Sequence, residues 1–211
     1  MTSNDQLPFW TSIPPSLRQA VELAIPPQLL QARLSQSEPP NTLATRYAQL
    51  KVLLKEYVAE EQSYKKTPAP ATQPLSPLFP LALLCMETAR YPAAEDLWRT
   101  LLPTPPHSNS DPAITSNLIE VLNIQHKYAE AERLSIQLLP LLQRELGQSS
   151  PQALGLLRKL MLSLVGQDKR EKAREVWKRG EELVAMIDDA ELRRDEEDAL
   201  SEVTEKIDSL S

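Results

Sequence analysis

Cys85, His107 and His126 are the residues of this chain that could in principle supply nucleophilic chemistry. A thiol nucleophile needs a base close enough to take its proton. Cys85 is surrounded in sequence by Leu81, Leu83 and Leu84, which predicts a core thiol instead. His107 lies in Pro105-Pro106-His107-Ser108-Asn109-Ser110 and His126 precedes Lys127-Tyr128, both read as turn or loop positions. One cysteine and two histidines 19 residues apart match no familiar zinc spacing. Asp188-Asp189-Ala190-Glu191 and Asp195-Glu196-Glu197-Asp198 could gather a divalent cation. Leu192, however, stands where an aspartate-rich helical motif needs its next acid. The glycines are Gly147, Gly155, Gly166 and Gly180, a set that builds neither phosphate-loop spacing nor a Gly-x-Ser-x-Gly elbow. The expectation is no metal, no cofactor and no catalytic residue.

One further cluster carries charge rather than chemistry. Arg158, Lys159, Lys169, Arg170, Lys172, Arg174, Lys178 and Arg179 fall within 22 residues. Such a run could contact phosphates. Glu171 and Glu175 interleave, no aromatic ladder accompanies it, and residues 181–211 follow with 12 acids against 3 bases. A solvated helix face paired with the acidic tail is expected, and nucleic acid is an unlikely partner.

The elements that must position these residues are helices. The chain has 211 residues, 36 leucines, 20 alanines and only 16 valines and isoleucines together. Unbranched and small side chains suit helices, whereas β-branched ones suit strands. No run of about 18 apolar residues appears, so no membrane span is expected. Met1-Thr2-Ser3-Asn4-Asp5 lacks the basic start and apolar run of a signal peptide. The expected compartment is the cytoplasm, with the nucleus the alternative.

Prolines punctuate the helices, and none lies after Pro151. Pro15-Ser16 opens a short amphipathic piece with Leu17, Val21 and Ala24, closed by Pro26-Pro27. Asn41 is placed to cap a helix over about 42–64, whose stripe is Leu43, Tyr47, Leu50, Leu54 and Tyr57. Residues 66–77 read as a Pro-rich linker. The expected organisation is an N-terminal helical segment 1–65, that linker, a repeat region 78–184 and an acidic capping helix 185–211.

The repeat region shows internal periodicity. When Ala94, Ala131 and Ala173 are aligned, Leu81, Leu118 and Leu160 stand thirteen residues earlier and Cys85, Leu122 and Leu164 nine earlier. Leu97, Leu134 and Val176 stand three later; Trp98, Ser135 and Trp177 stand four later. Each unit reads as two helices with a tight turn before the second. The alanine lets the second helix approach the first closely, and stacked pairs bury what one pair alone cannot.

This pattern resembles the tetratricopeptide repeat family over about residues 77–183. Leu160, Leu164, Ala173 and Trp177 carry it in the third unit, and Leu81, Cys85, Ala94, Trp98 and Pro106 in the first. Gln125-His126-Lys127-Tyr128-Ala129-Glu130-Ala131-Glu132 is similar to the inter-helix turn of kinesin-light-chain-like repeats, with His126 where glycine is usual. Departures include Ile119 and Met161 at a position that favours a small residue, and Pro140, which predicts a kink or an end in the second unit's second helix.

The resemblance implies an all-α fold: a short right-handed superhelix of helix hairpins, with N-terminal helices and a C-terminal capping helix. It also implies a protein–protein interaction scaffold or adaptor whose concave groove takes a peptide or helical segment. The groove positions it projects include Asn117, Glu120, Asn123, Arg158 and Lys159 as partner-binding residues. A full carboxylate clamp is not implied, because Ser76 and Pro80 stand where its lysine and second asparagine belong. The alternatives are a helical non-metal lyase or cyclase with an apolar pocket, and a nucleic-acid accessory protein using the 158–179 run.

Overall fold

The computed structural model describes residues 8–35, 42–64, 76–102 and 112–209. Among these the protein is all-helical, with no strand. Residues 66–75 of the expected linker, the Asn41 cap and His107 lie outside the described residues. The chain divides into two compact units, Met1–Leu101 and Leu102–Ser211.

The first unit begins with a 3-10 turn at Pro8–Trp10, followed by α1 (Pro15–Ala24), α2 (Pro27–Ser35), α3 (Leu43–Tyr64), α4 (Leu78–Glu87) and α5 (Tyr91–Leu101). Pro15 opens α1, where its missing N–H is no loss. Ile25 ends α1 in extended backbone (φ −119°, ψ 133°), as a residue before proline must. Thr42 caps α3: its Oγ1 accepts from the Thr45 amide at 3.2 Å, and Thr45 Oγ1 accepts from the Thr42 amide in return. Of the predicted α3 stripe, Leu50 and Leu54 are buried, Tyr47 and Tyr57 are half-buried, and Leu43, at the helix's first position, is exposed. Leu50 and Leu54 join Leu17, Val21, Leu81 and Leu84 in one core, so α4 packs on α1 and α3. The first helix pair thus shares its core with the N-terminal helices.

The second unit comprises α6 (Pro112–Ile124), α7 (Tyr128–Leu146), α8 (Pro151–Val165), α9 (Arg170–Val184) and α10 (Ala190–Ser209). Consecutive helices pack as hairpins, the arrangement of a helical-repeat stack, and α8 also touches α6. Ser150 caps α8 by accepting from the Ala153 amide, with Pro151 at the first helical position. The expected kink or stop at Pro140 takes a different course: α7 continues past it to Leu146. Pro140 and Ile136, whose carbonyl would have received the missing bond, are both exposed, so water can replace that bond. α10 packs on α8 and α9 as a C-terminal cap, with Leu200 and Val203 against Met161.

The three helix pairs share one turn. Arg90, Lys127 and Lys169 donate their amides to the carbonyls of Cys85, Leu122 and Leu164, each five residues back. Ala89, His126 and Asp168 precede them in left-handed backbone, with φ of 53°, 59° and 59°. This is the Schellman closure of a helix C-terminus. Four residues after each closing amide stands Ala94, Ala131 or Ala173, and all three are fully buried. A larger side chain there would hold the second helix off the first.

Candidate functional site

Lys159 lies mid-way along α8 and turns its ammonium to α6. Its Nζ is 3.1 Å from the Ser116 carbonyl, 3.0 Å from Ser116 Oγ and 3.0 Å from a Glu120 carboxylate oxygen. One turn along, Asn123 Nδ2 donates to the Lys159 carbonyl at 2.9 Å, and the Ser163 hydroxyl donates to Asn123 Oδ1 at 2.8 Å. Asn123 and Ser163 are buried, so this pair satisfies two polar groups that would otherwise oppose packing. Arg158 turns to α10, where it pairs with the buried carboxylate of Glu196. Asn117 is half-buried beside Ser116 on α6.

The structure therefore brings the five expected groove residues together on α6 and α8, and it gives four of them internal partners. Two neighbours in sequence, Arg158 and Lys159, tie α8 to α10 and to α6 respectively. Glu120 keeps 44% of its side chain exposed while Lys159 keeps 22%, so the carboxylate is the accessible end of that pair.

Four more cations of the basic run have acid partners. Lys169 meets Glu132, Arg170 meets Asp168, Arg174 meets Glu171, and Arg179 meets Glu182. Of these pairs, Arg158 reaches Glu196 on α10 and Arg179 reaches Glu182 near the end of α9; the others use acids on α7, α9 or the intervening turn. Glu132 is the pivot between α7 and the α8–α9 turn, accepting from Lys169 Nζ at 2.6 Å and Gln167 Nε2 at 2.8 Å. The Lys169 hydrogen bond holds its carboxyl below the usual range, assisted by Gln167 and by the charges of Lys169 and Lys172, against a partial burial that works the other way.

Cys85 is buried in α4, and burial pushes its thiol up, with only a small counter-effect from Lys55. Such a thiol is a poorer source of thiolate than a free one. His126 sits at its strained turn position with Nδ1 2.5 Å from Tyr128 Oη. Among the described residues no three His, Cys, Asp or Glu side chains gather as metal ligands, and no helix is long and apolar enough to cross a membrane.

Two open grooves are lined by other helices. One, of about 410 Å³, lies between α2 and α3 beside the Arg33–Glu56 pair. The other, of about 490 Å³, lies between α9 and α10, lined by half-buried Trp177 and buried Leu200, with exposed Glu181 and Glu197 at its edge. Read from sequence, residues 185–211 are a cap, and no groove is expected there. Its signal was available: Glu181 stands eight residues after Ala173, where Leu139 stands eight after Ala131.

No family model matches the chain, and no curated protein matches it.

Proposed function

We propose that the protein is an interaction module of the tetratricopeptide-like kind, recognising a peptide or helical segment of another protein in the cytoplasm without bond chemistry. One observation supports the reading: the same helix pair recurs three times with the same turn hydrogen bonds and the same buried alanine. Pairs repeated in one register bury their faces by stacking, and a stack presents a row of helix faces to a partner. On the α6–α8 face, Asn117 and the exposed side of Glu120 are the groups a partner would meet first. Asn123 and Lys159 tie α6 to α8 beneath them, and Arg158 ties α8 to α10.

A photo-crosslinking amino acid at position 117 of the full chain, followed by capture from the native cell, tests this. The expected result is a discrete protein adduct that Glu120→Lys reduces. Adducts confined to nucleic acid, or a protein adduct indifferent to Glu120→Lys, would overturn it.

A further inference from the structure

In the second unit α7 packs into a cluster shared with the two helices that follow. Leu139, eight residues after the alanine of α7, packs into a cluster formed by Leu154 and Leu157 of α8 and Leu183 and Val184 of α9. The next helix thus covers the angle between α7 and α8. α10 packs on α8 and α9 much as α8 packs on α6 and α7. The equivalent angle, between α9 and α10, is the open groove of about 490 Å³. Its floor is Val184 and Leu200, and Trp177 forms one wall, half-buried. Trp177, Glu181 and Ala185 follow one another at helical spacing along α9, opposite Glu197, Ser201 and Thr204 of α10. Among the described residues nothing fills the groove.

Its charge departs from that of the filled angle. Glu181 takes the place in register that Leu139 holds in α7, and Glu197 faces the groove from α10. These are the only charged side chains among the described lining residues. Both are exposed. An apolar floor with an acidic rim selects an occupant with an apolar stripe flanked by cations.

We infer that the α9–α10 groove is a docking site for a basic amphipathic helix of a partner protein. The partner lies where the repeat register would place a further helix, with apolar side chains against Trp177, Val184 and Leu200 and its Lys or Arg residues at Glu181 and Glu197. This inference rests on the interaction reading above and assigns it a second surface, away from the α6–α8 face.

The test uses the full chain and two synthetic peptides of about 18 residues, five helical turns. One is an amphipathic Leu/Ala/Lys helix; the other carries Glu in place of every Lys. Trp10 and Trp98 are buried, so a change in tryptophan emission on binding reports Trp177, and Trp177→Phe should abolish it. The lysine peptide should bind at least about tenfold more tightly than its glutamate counterpart. Amide shifts of the labelled chain should concentrate on residues 177–185 and 197–204. Glu181→Lys with Glu197→Lys should weaken binding by about tenfold or more while leaving the circular dichroism melt in place.

Equal binding of the two peptides, or no binding of either, overturns the docking site. Shifts confined to α6 and residues 158–159 overturn it while leaving the interaction reading standing. A monomer–dimer equilibrium abolished by Glu181→Lys would assign the groove to a second copy of this chain and likewise overturn the proposal. Loss of the position 117 crosslink, with groove binding intact, would instead count against the α6–α8 surface alone.

Discussion

Arg158 and Lys159 show how one residue's geometry changes its meaning. Two adjacent cations on a helix read as a binding surface, yet one reaches the buried Glu196 and the other a carbonyl, a hydroxyl and Glu120. Reversing Arg158 to glutamate places two carboxylates together with little water to separate them. Leaving a buried charge without its partner costs about 3–5 kcal/mol, and the partial exposure of Arg158 favours the lower end. Arg158→Glu should therefore lower the urea midpoint markedly, while Glu120→Gln should lower it by less than about 1 kcal/mol. The same care applies to Glu132, next to Ala131 in sequence. It accepts from Gln167 and Lys169, so Glu132→Gln should destabilise the protein at neutral pH. Its carboxyl is held below the usual range when folded. As pH falls, the unfolded chain takes up the proton first, and the contribution is lost as pH passes down through the folded value. Urea melts from neutral pH to about pH 3 should show the gap between the wild type and Glu132→Gln closing below the ordinary carboxylate range. A constant gap would remove Glu132 from the account.

At the scale of the element, the shared turn and the buried alanine set each pair. Ala89 and His126 adopt left-handed backbone that costs an L-residue about 1–2 kcal/mol, of which the extra chain entropy of glycine returns about half. Ala89→Gly and His126→Gly should each raise stability by about 0.5–1 kcal/mol in thermal or urea melts. Ala131→Trp should do the opposite, by about 1–3 kcal/mol or more, because Ala131 is fully buried and an indole there must overpack its surroundings. Ala129→Gln, on the exposed side of the same helix, should stay within about 0.5 kcal/mol. Equal melts for the two variants would break the register. These elements were legible because apolar spacing and proline placement act locally. The course of α7 past Pro140 was not, since it depends on which side of the helix faces water. Nor was the Thr42–Thr45 cap legible against Asn41, because two adjacent residues have the same capping chemistry and only backbone geometry separates them.

For the whole molecule, periodicity told how helices pair but not which pairs share a core. The α4–α5 pair has the same turn and the same buried alanine as the two later pairs. Its Leu81 and Leu84 nevertheless belong to a cluster with Leu17, Val21, Leu50 and Leu54. Nothing in a register of alanines could reveal this, because the partners come from helices outside the repeat. The polar ties were invisible for a similar reason: Arg158 and Glu196 are 38 residues apart, and Asn123 and Ser163 are 40. A division between Leu101 and Leu102 has a consequence for folding. The second unit has its own core through Leu154, Leu157, Met161, Leu183 and Val203, its own helix caps and its own terminal helix. Five packed helices over about a hundred residues bury enough surface to stand as a small domain. Residues 103–211 expressed alone should therefore be helical by circular dichroism and melt cooperatively. Removing residues 185–211 from that fragment uncovers Met161 and Trp177 and strips Arg158 of its carboxylate. The shortened fragment should melt at a lower temperature or aggregate. Amides of residues 196–204 should exchange slowly in the intact chain, because Leu200 and Val203 are buried against α8 and α9. High salt should lower the melting temperature only slightly, since the packing of Leu200 and Val203 on Met161 outweighs one ion pair. Rapid exchange throughout residues 196–204, or a shortened fragment as stable as the longer one, would show that α10 is not what closes this unit.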